Sequence, residues 1–218
     1  MKNRILIAIT FIITTLVVVV LLSRSQDTAP LTELTQILGQ NGDKETLPDL
    51  TEWKTYTNDE VGISFRYPDI FQRVDSHISE GTTGKIFSGV LEFEPNHWIS
   101  FGGATKDHTA SRGGGITDTY GYEKQGERYI IKFAWEEKEV TPKELWPING
   151  GENQAIVIRD TEIDQILSHD GIAVFFNIPN SSFPGMVFEI TPTSPGKAIN
   201  EEEIKILHKI ISSITFNK

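Results

Sequence analysis

The alternation of apolar residues between residues 53 and 68 restricts the fold of this chain more than any other stretch. Asn58, Asp59 and Glu60 predict a turn in the middle of the stretch. Pro68 has no amide hydrogen to donate and ends the second strand. After the turn, apolar residues occupy every second position and therefore share one face of a β-strand; they are Val61, Ile63, Phe65 and Tyr67. The stretch is predicted to be a β-hairpin with an aromatic face that opens the folded domain.

Strand-like runs continue through the rest of the domain. Glycine, proline and asparagine separate short segments that are rich in β-branched and aromatic residues, as is typical of strands joined by turns. We predict strands at 73–79, 85–93, 97–102, 120–124, 128–135, 154–159, 172–178 and 186–190.

Two helices are predicted among these strands. Thr141 and Glu144 have the spacing of a capping box, and Pro142 stands at the first helical position, so a short helix is predicted up to Pro147. Asn200 forms a second capping box with Glu203 and begins a C-terminal helix. That helix carries an apolar stripe at helical spacing, consisting of Ile204, Leu207, Ile210, Ile211 and Ile214. The predicted fold class is α+β, an antiparallel sheet flanked by a few helices.

The N-terminal segment predicts attachment to a membrane. Residues 5–22 carry no charge, and eighteen helical residues are just long enough to cross a hydrocarbon core of about 30 Å. Lys2 and Arg4 precede the segment and favour a cytoplasmic N-terminus. A cleaved signal peptide is the competing interpretation, with cleavage near Ser23 or Ser25.

The chain therefore divides into three predicted parts. Residues 1–25 are an anchor, read as a single transmembrane helix, or a signal segment. Residues 26–51 are a linker with a possible short helix, and residues 52–218 are an extracytoplasmic domain. The predicted location is the cell membrane, with a single pass and the C-terminal domain outside the cytoplasm.

Charge and cysteine content exclude several classes of function. The net charge is −10, and such a surface repels nucleic acid and anionic lipid headgroups. The chain has no cysteine, which excludes disulfides, thiolate metal sites, a cysteine nucleophile and lipidation on cysteine.

Two stretches resemble a known family. Tyr56-Thr57-Asn58, the following acidic residues, Gly62 and the run 63–68 (ISFRYP) resemble the opening hairpin of small PsbP-like proteins, many of which are uncharacterised, membrane-anchored bacterial proteins. The ending 210–216 (IISSITF) resembles the C-terminus of the same group. The resemblance implies a PsbP-like antiparallel sheet with helices on its faces. Plant members are accessory subunits of photosystem II, and none of their partner-binding residues can be placed on this chain.

The glycine-rich loop at 105–118 is the first candidate for a partner site. It contains Arg112, Gly113, Gly114 and Gly115. Successive backbone amides in such a run can hold an anion, but the lysine and the following helix of a P-loop are missing. Loops on rigid scaffolds often carry recognition, so these four residues are predicted to form a partner loop.

The sequence supports a metal site or a hydrolase triad less strongly than it supports a partner loop. His97, Asp107 and His108 could hold zinc if the loop folded back onto its strand. Asp160, Glu162 and Asp164 alternate like the first ligands of a calcium loop, but they lack the glycine and the final glutamate of an EF-hand. Ser168, His169 and Asp170 are adjacent and poorly placed to form a triad. No catalytic residue, cofactor or metal ligand is assigned.

The predicted function is a non-catalytic binding or accessory domain, tethered to the membrane and in contact with another envelope protein. One alternative is an envelope hydrolase or metal-dependent enzyme that uses some of His97, His108 and His169. Another alternative is a carbohydrate-binding module with exposed aromatic rings, for which the candidates are Trp53, Trp98, Trp135 and Trp146.

Overall fold

The architecture comes from a computed structural model, which describes residues 53–81, 83–94, 97–110, 115–149, 151, 153–159, 171–191 and 199–217. Within this part of the chain, 55% of the residues lie in strands and 9% in one helix. The thirteen strands are β1 (Lys54–Asn58), β2 (Ile63–Tyr67), β3 (Arg73–Glu80), β4 (Lys85–Glu94), β5 (His97–Ala104), β6 (Thr119–Gln125), β7 (Arg128–Phe133), β8 (Glu137–Val140), β9 (Glu144–Pro147), β10 (Gln154–Arg159), β11 (Ile172–Asn177), β12 (Gly185–Ile190) and β13 (Thr215–Phe216), and the helix is α1 (Glu201–Ser212).

The strands form three sheets. The central sheet has seven strands in the order β3-β4-β5-β12-β11-β10-β9. Two smaller sheets have the orders β1-β2-β13 and β6-β7-β8. All strand pairs are antiparallel, and the connections β2–β3, β5–β6 and β8–β9 lead from one sheet to another.

The first face of the central sheet is covered by the predicted hairpin and by α1. Val61, Ile63 and Phe65 are at most 1% exposed and belong to the main core. The Phe65 ring lies edge-on to Phe101 and Phe188 at centroid distances of 5.5 and 5.3 Å, an arrangement that aromatic pairs favour. The alternation in the hairpin thus reflects burial against the central sheet.

The second face is covered by the sheet β6-β7-β8. Ile131 and Phe133 of β7 join a separate core with Ile156, Phe175 and Val187 of the central sheet. The Phe133 and Phe175 rings meet edge-on at 5.9 Å. The central sheet is therefore the middle layer of three, with an apolar core on each side.

The C-terminal helix begins as predicted. Asn200 accepts a hydrogen bond from the backbone of Glu203, whose side chain accepts from the Asn200 backbone, so both halves of the capping box are present. Leu207, Ile210 and Ile211 are buried against the first core.

The prediction of an α+β fold is wrong, because the described fold is mostly β-sheet with a single helix. Small sheets occupy most of the faces on which helices were expected. The short helix predicted at 141–147 is the clearest case, since Glu144–Pro147 pairs with β10 as strand β9. Trp146 is buried there and meets the His208 ring at 4.8 Å. Packing of this kind overrides a local capping signal.

No helix of the described residues has the length and apolar character needed to cross a membrane. The predicted anchor at 1–25 and the linker at 26–51 lie outside the described residues.

Candidate functional site

Five connections gather at one end of the central sheet, which we call the loop end. The strand register requires this arrangement, because Glu80 pairs with Lys85 and Asn177 pairs with Gly185 at the same end at which β5 stops and β10 starts. The connections are the β1–β2 turn, the β3–β4 turn at 81–84, the β5–β6 loop at 105–118, the β9–β10 turn at 148–153 and the β11–β12 turn at 178–184.

Side chains tie the β1–β2 turn to its neighbours at the loop end. The Ser181 hydroxyl donates to the carbonyl of Val61 at 2.6 Å, which joins the β11–β12 turn to the β1–β2 turn. Lys85 Nζ donates to Glu60 at 2.7 Å, which joins the same turn to the start of β4. Preformed geometry of this kind reduces the ordering cost of binding.

His108 and Asp118 close the base of the β5–β6 loop. The two side chains are buried, and His108 Nε2 lies 3.7 Å from Asp118 Oδ1. His108 Nδ1 lies 3.1 Å from the carbonyl of Thr83, to which it donates. Nε2 then depends on Asp118 for a partner, because it has no hydrogen bond within the described structure. At 3.7 Å the two groups are in contact but beyond hydrogen-bond distance.

The electrostatics of the loop base follow from burial. Burial raises the pKa of Asp118, while the neighbouring His108 and the backbone of Gly115 oppose the rise. Burial also raises the pKa of Tyr120, with Asp118 as the next cause. The Tyr120 hydroxyl donates to the carbonyl of His108. The polar groups at this base therefore face one another and hold the loop ends together.

A groove lies beside this loop base, and we call it the Lys106 groove. Its volume is about 470 Å³. The Tyr122 hydroxyl donates to the carbonyl of Gln154 at 2.9 Å, and Lys132 pairs with Glu123. Internal partners thus satisfy much of the polar lining, which consists of Lys106, Tyr120, Tyr122, Glu123, Lys132 and Asn177, together with Pro184.

A second cleft lies on the other side of the β11–β12 turn, and we call it the asparagine cleft. Its volume is about 570 Å³, within the range of roughly 300–1,000 Å³ that is typical of small-molecule sites. The described residues that line it carry no charge; they are Asn149, Pro179, Asn180, Thr215, Phe216 and Asn217.

The predicted partner loop is described only in part. Arg112, Gly113 and Gly114 lie outside the described residues. Gly115 is exposed, and its carbonyl accepts from the Asp118 amide at 3.0 Å. The loop extends from the end of β5 to the start of β6, as predicted.

The predicted zinc ligands do not come together. His97 is the first residue of β5 and contacts Glu203 of α1 at 3.4 Å, whereas His108 follows the other end of that strand. Seven residues of strand separate the two ends by roughly 23 Å. The described part of the chain contains no group of three or more potential metal-ligating side chains.

The remaining candidates for metal or triad chemistry cannot be placed in the fold. Asp160, Glu162, Asp164, Ser168, His169 and Asp170 all lie outside the described residues.

The four tryptophans, all of which are described, do not form an exposed aromatic surface. Trp53 and Trp146 are 7% and 5% exposed. Trp135 is partly buried and stacks on Phe133 at 4.9 Å. Trp98 is 40% exposed on β5. Most of the tryptophans therefore pack against other residues and do not form a surface for a ligand.

Sequence reasoning missed the asparagine cleft. Asn149 precedes a glycine and Asn180 follows a proline, and both pairs indicate turns without indicating that the turns meet. The sequence around Asn217 did not indicate that it lines a cleft.

Comparison with protein-family models, curated proteins and solved structures gives no match for this chain.

Proposed function

We propose that residues 52–218 form a non-catalytic binding domain that works outside the cytoplasm, with residues 1–25 as its attachment to the membrane. The apolar, charge-free run at 5–22 and the basic residues before it support this location. The partner is another component of the cell envelope, and it is held at the loop end.

The proposal rests on the loop end. Five connections meet there, and hydrogen bonds from the side chains of Ser181 and Lys85 join neighbouring connections. Two clefts lie beside these connections. Binding residues often lie on loops that a rigid scaffold positions. Two apolar cores hold the central sheet rigid beneath these loops.

The arrangement of titratable groups favours binding over catalysis. A general base must reach a proton of the substrate within hydrogen-bond distance. His108 and Asp118 are 5% and 7% exposed and face each other. They are better placed to hold the loop than to act on a ligand.

Photocrosslinking in cells tests the proposal. A photoreactive amino acid is placed in the full chain at Lys106 or at Asn180, each of which lines one cleft of the loop end. The matched control is Glu201, which is exposed at the start of α1 near His97 and thus at the opposite end of the sheet. We expect specific adducts from at least one loop-end position and few from Glu201.

Two results would contradict the proposal. The first is an equal adduct pattern at Glu201 and at both loop-end positions. The second concerns location: protease added to intact spheroplasts is expected to digest the domain, and full protection would place it in the cytoplasm.

A further inference from the structure

We propose that the asparagine cleft binds a neutral saccharide, an inference that rests on the proposed binding function of the loop end and names its ligand class. The cleft presents three carboxamides from three separate segments: Asn149 from the β9–β10 turn, Asn180 from the β11–β12 turn and Asn217 after β13. Thr215 also lines the cleft, and its hydroxyl donates to the carbonyl of Ser64 at 3.5 Å.

Carboxamides match the hydrogen-bonding pattern of sugar hydroxyls. Each amide offers one acceptor oxygen and two donor hydrogens, so it can bind neighbouring hydroxyls that donate and accept. Asn217 Nδ2 donates to Asp59 at 3.2 Å, which leaves the Asn217 oxygen directed elsewhere. The described lining residues are uncharged and the Asp59 carboxylate lies next to Asn217, which disfavours an anionic ligand.

Backbone conformation and backbone hydrogen bonds fix the positions of the asparagines that line the cleft. Asn149 and Asn180 have φ values of 48° and 59°, and they are the non-glycine residues with positive φ in the described structure. Asparagine tolerates this conformation better than most residues. The backbone N–H of Asn149 donates to the carbonyl of Ser212 at 3.0 Å, and the backbone N–H of Asn217 donates to the carbonyl of Gly62 at 2.9 Å. The backbone that carries these side chains is therefore ordered before a ligand arrives.

Phe216 supplies an apolar surface beside the amides. Its ring is partly exposed in the cleft and is supported from behind by the buried Phe176 ring at 6.5 Å. A sugar ring has an apolar C–H face as well as hydroxyls, so it can lie on an aromatic ring while its edges reach amides. A site that hydrogen-bonds hydroxyl groups also rejects analogues that lack them.

The Lys106 groove does not share this chemistry. Lys132 and Glu123 already form an ion pair there, and the two amide atoms of Asn177 bond to the backbone of Tyr122. The groove therefore offers a neutral saccharide fewer free amide groups than the asparagine cleft.

The test uses the full chain in a polyoxyethylene detergent, which has no sugar headgroup to compete. A glycan array presents neutral hexose and N-acetylhexosamine oligosaccharides in one arm and sialylated, sulfated or uronic oligosaccharides in the other. A library of extended peptides forms a third arm, because β13 is an edge strand beside the cleft. We expect binding in the neutral arm, which titration calorimetry with the best oligosaccharide then quantifies.

Variants locate the binding. Asn149→Gly and Asn180→Gly remove the amides but keep the positive φ, which glycine adopts freely, and each is expected to weaken binding about tenfold or more. Phe216→Leu should weaken it to a similar extent. Glu201→Gln, at the opposite end of the sheet, should leave the affinity unchanged, and thermal unfolding confirms that all four variants are folded.

Several outcomes overturn the inference: no binding in the neutral arm, binding confined to the acidic or peptide arms, or unchanged affinity in both Asn180→Gly and Phe216→Leu. These results differ from failure of the proposed function. If saccharides fail while the crosslinks at Lys106 or Asn180 persist, the loop end still binds a partner of another kind.

Discussion

The backbones of Gly121 in β6 and Gly185 in β12 touch, and neither position has room for a side chain. A Cβ atom on Gly185 would overlap the Cα and N atoms of Gly121. A Cβ atom on Gly121 would overlap the Asn177 side chain, and the φ of Gly121 is +89°. This contact brings the sheet β6-β7-β8 close to the central sheet beside the Lys106 groove.

Gly185→Ala is therefore expected to destabilise the domain. The added methyl group must displace backbone atoms of Gly121, and overpacking of this kind costs about 1–3 kcal/mol. Urea unfolding of the full chain measures the change. Gly151→Ala is the matched control, because its nearest neighbour would lie 3.6 Å away. Equal stability of the two variants would show that β6 can move away at little cost.

Asn177 is expected to contribute through two hydrogen bonds that join β11 to β6. Its Oδ1 accepts from the Tyr122 amide and its Nδ2 donates to the Tyr122 carbonyl, both at 2.9 Å. Asn177→Ala removes both bonds and should cost about 1–3 kcal/mol. Asn177→Asp keeps the acceptor and should fall between alanine and the wild type.

The control for this pair is Gln125→Ala, since the exposed Gln125 side chain donates to the Glu123 side chain of the same strand. Hydrogen exchange at the Tyr122 amide provides a local readout. Slow exchange at that amide in Asn177→Ala would refute the bridging role.

Glu189 should make stability fall as the pH rises. Burial raises the pKa of this carboxyl from 4.5 to about 7, against a hydrogen bond from Ser100 at 3.3 Å that lowers it. Between pH 4.5 and 7 the folded state therefore binds more protons than the unfolded state, so stability decreases through this window and levels off above it. The total loss is on the order of 3 kcal/mol.

Glu189→Gln removes the charge and can keep the bond to Ser100. We expect thermal unfolding to show similar stability near pH 4 and higher stability than the wild type at pH 8. Glu137→Gln, which replaces an exposed carboxyl of β8, serves as the control. A Glu189→Gln profile that runs parallel to the wild type would mean that the carboxyl ionises freely in the fold.

His108 and Asp118 should be coupled in their effect on stability. His108→Leu leaves the buried Asp118 carboxyl without the imidazole beside it, and an unpaired buried polar group costs about 1–3 kcal/mol. Because burial raises the pKa of Asp118 and His108 lowers it, the substitution should raise that pKa further, so the stability of His108→Leu should fall more than that of the wild type between pH 4 and pH 8.

The double variant His108→Leu/Asp118→Leu separates the pair energy from packing. It should be more stable than His108→Leu at pH 8, because no charge remains buried. Trypsin cleavage after Lys106 reports on the loop base directly and should accelerate in His108→Leu. Additive effects of the two substitutions at both pH values would rule out the coupling.

The local features of this chain could be read from sequence. The alternation at Ile63 and Phe65 predicted the hairpin, and each of the other predicted strands overlaps an observed one. The capping box at Asn200 and Glu203 placed the start of α1. These features depend on neighbours only a few residues away, so the pattern alone contains the information.

The layers and the clefts were decided by tertiary structure. Strands β8, β9 and β13 are two to four residues long, too short for a periodic pattern. They form because another strand offers hydrogen-bond partners: β7 for β8, β10 for β9 and, from the far end of the chain, β2 for β13. Asn149 and Asn180 lie at one end because the register of the central sheet returns their two turns there, and the pairing of β13 with β2 brings Asn217 to the same cleft. Sequence determined which residues turn and which alternate, and long-range packing determined which turns face each other.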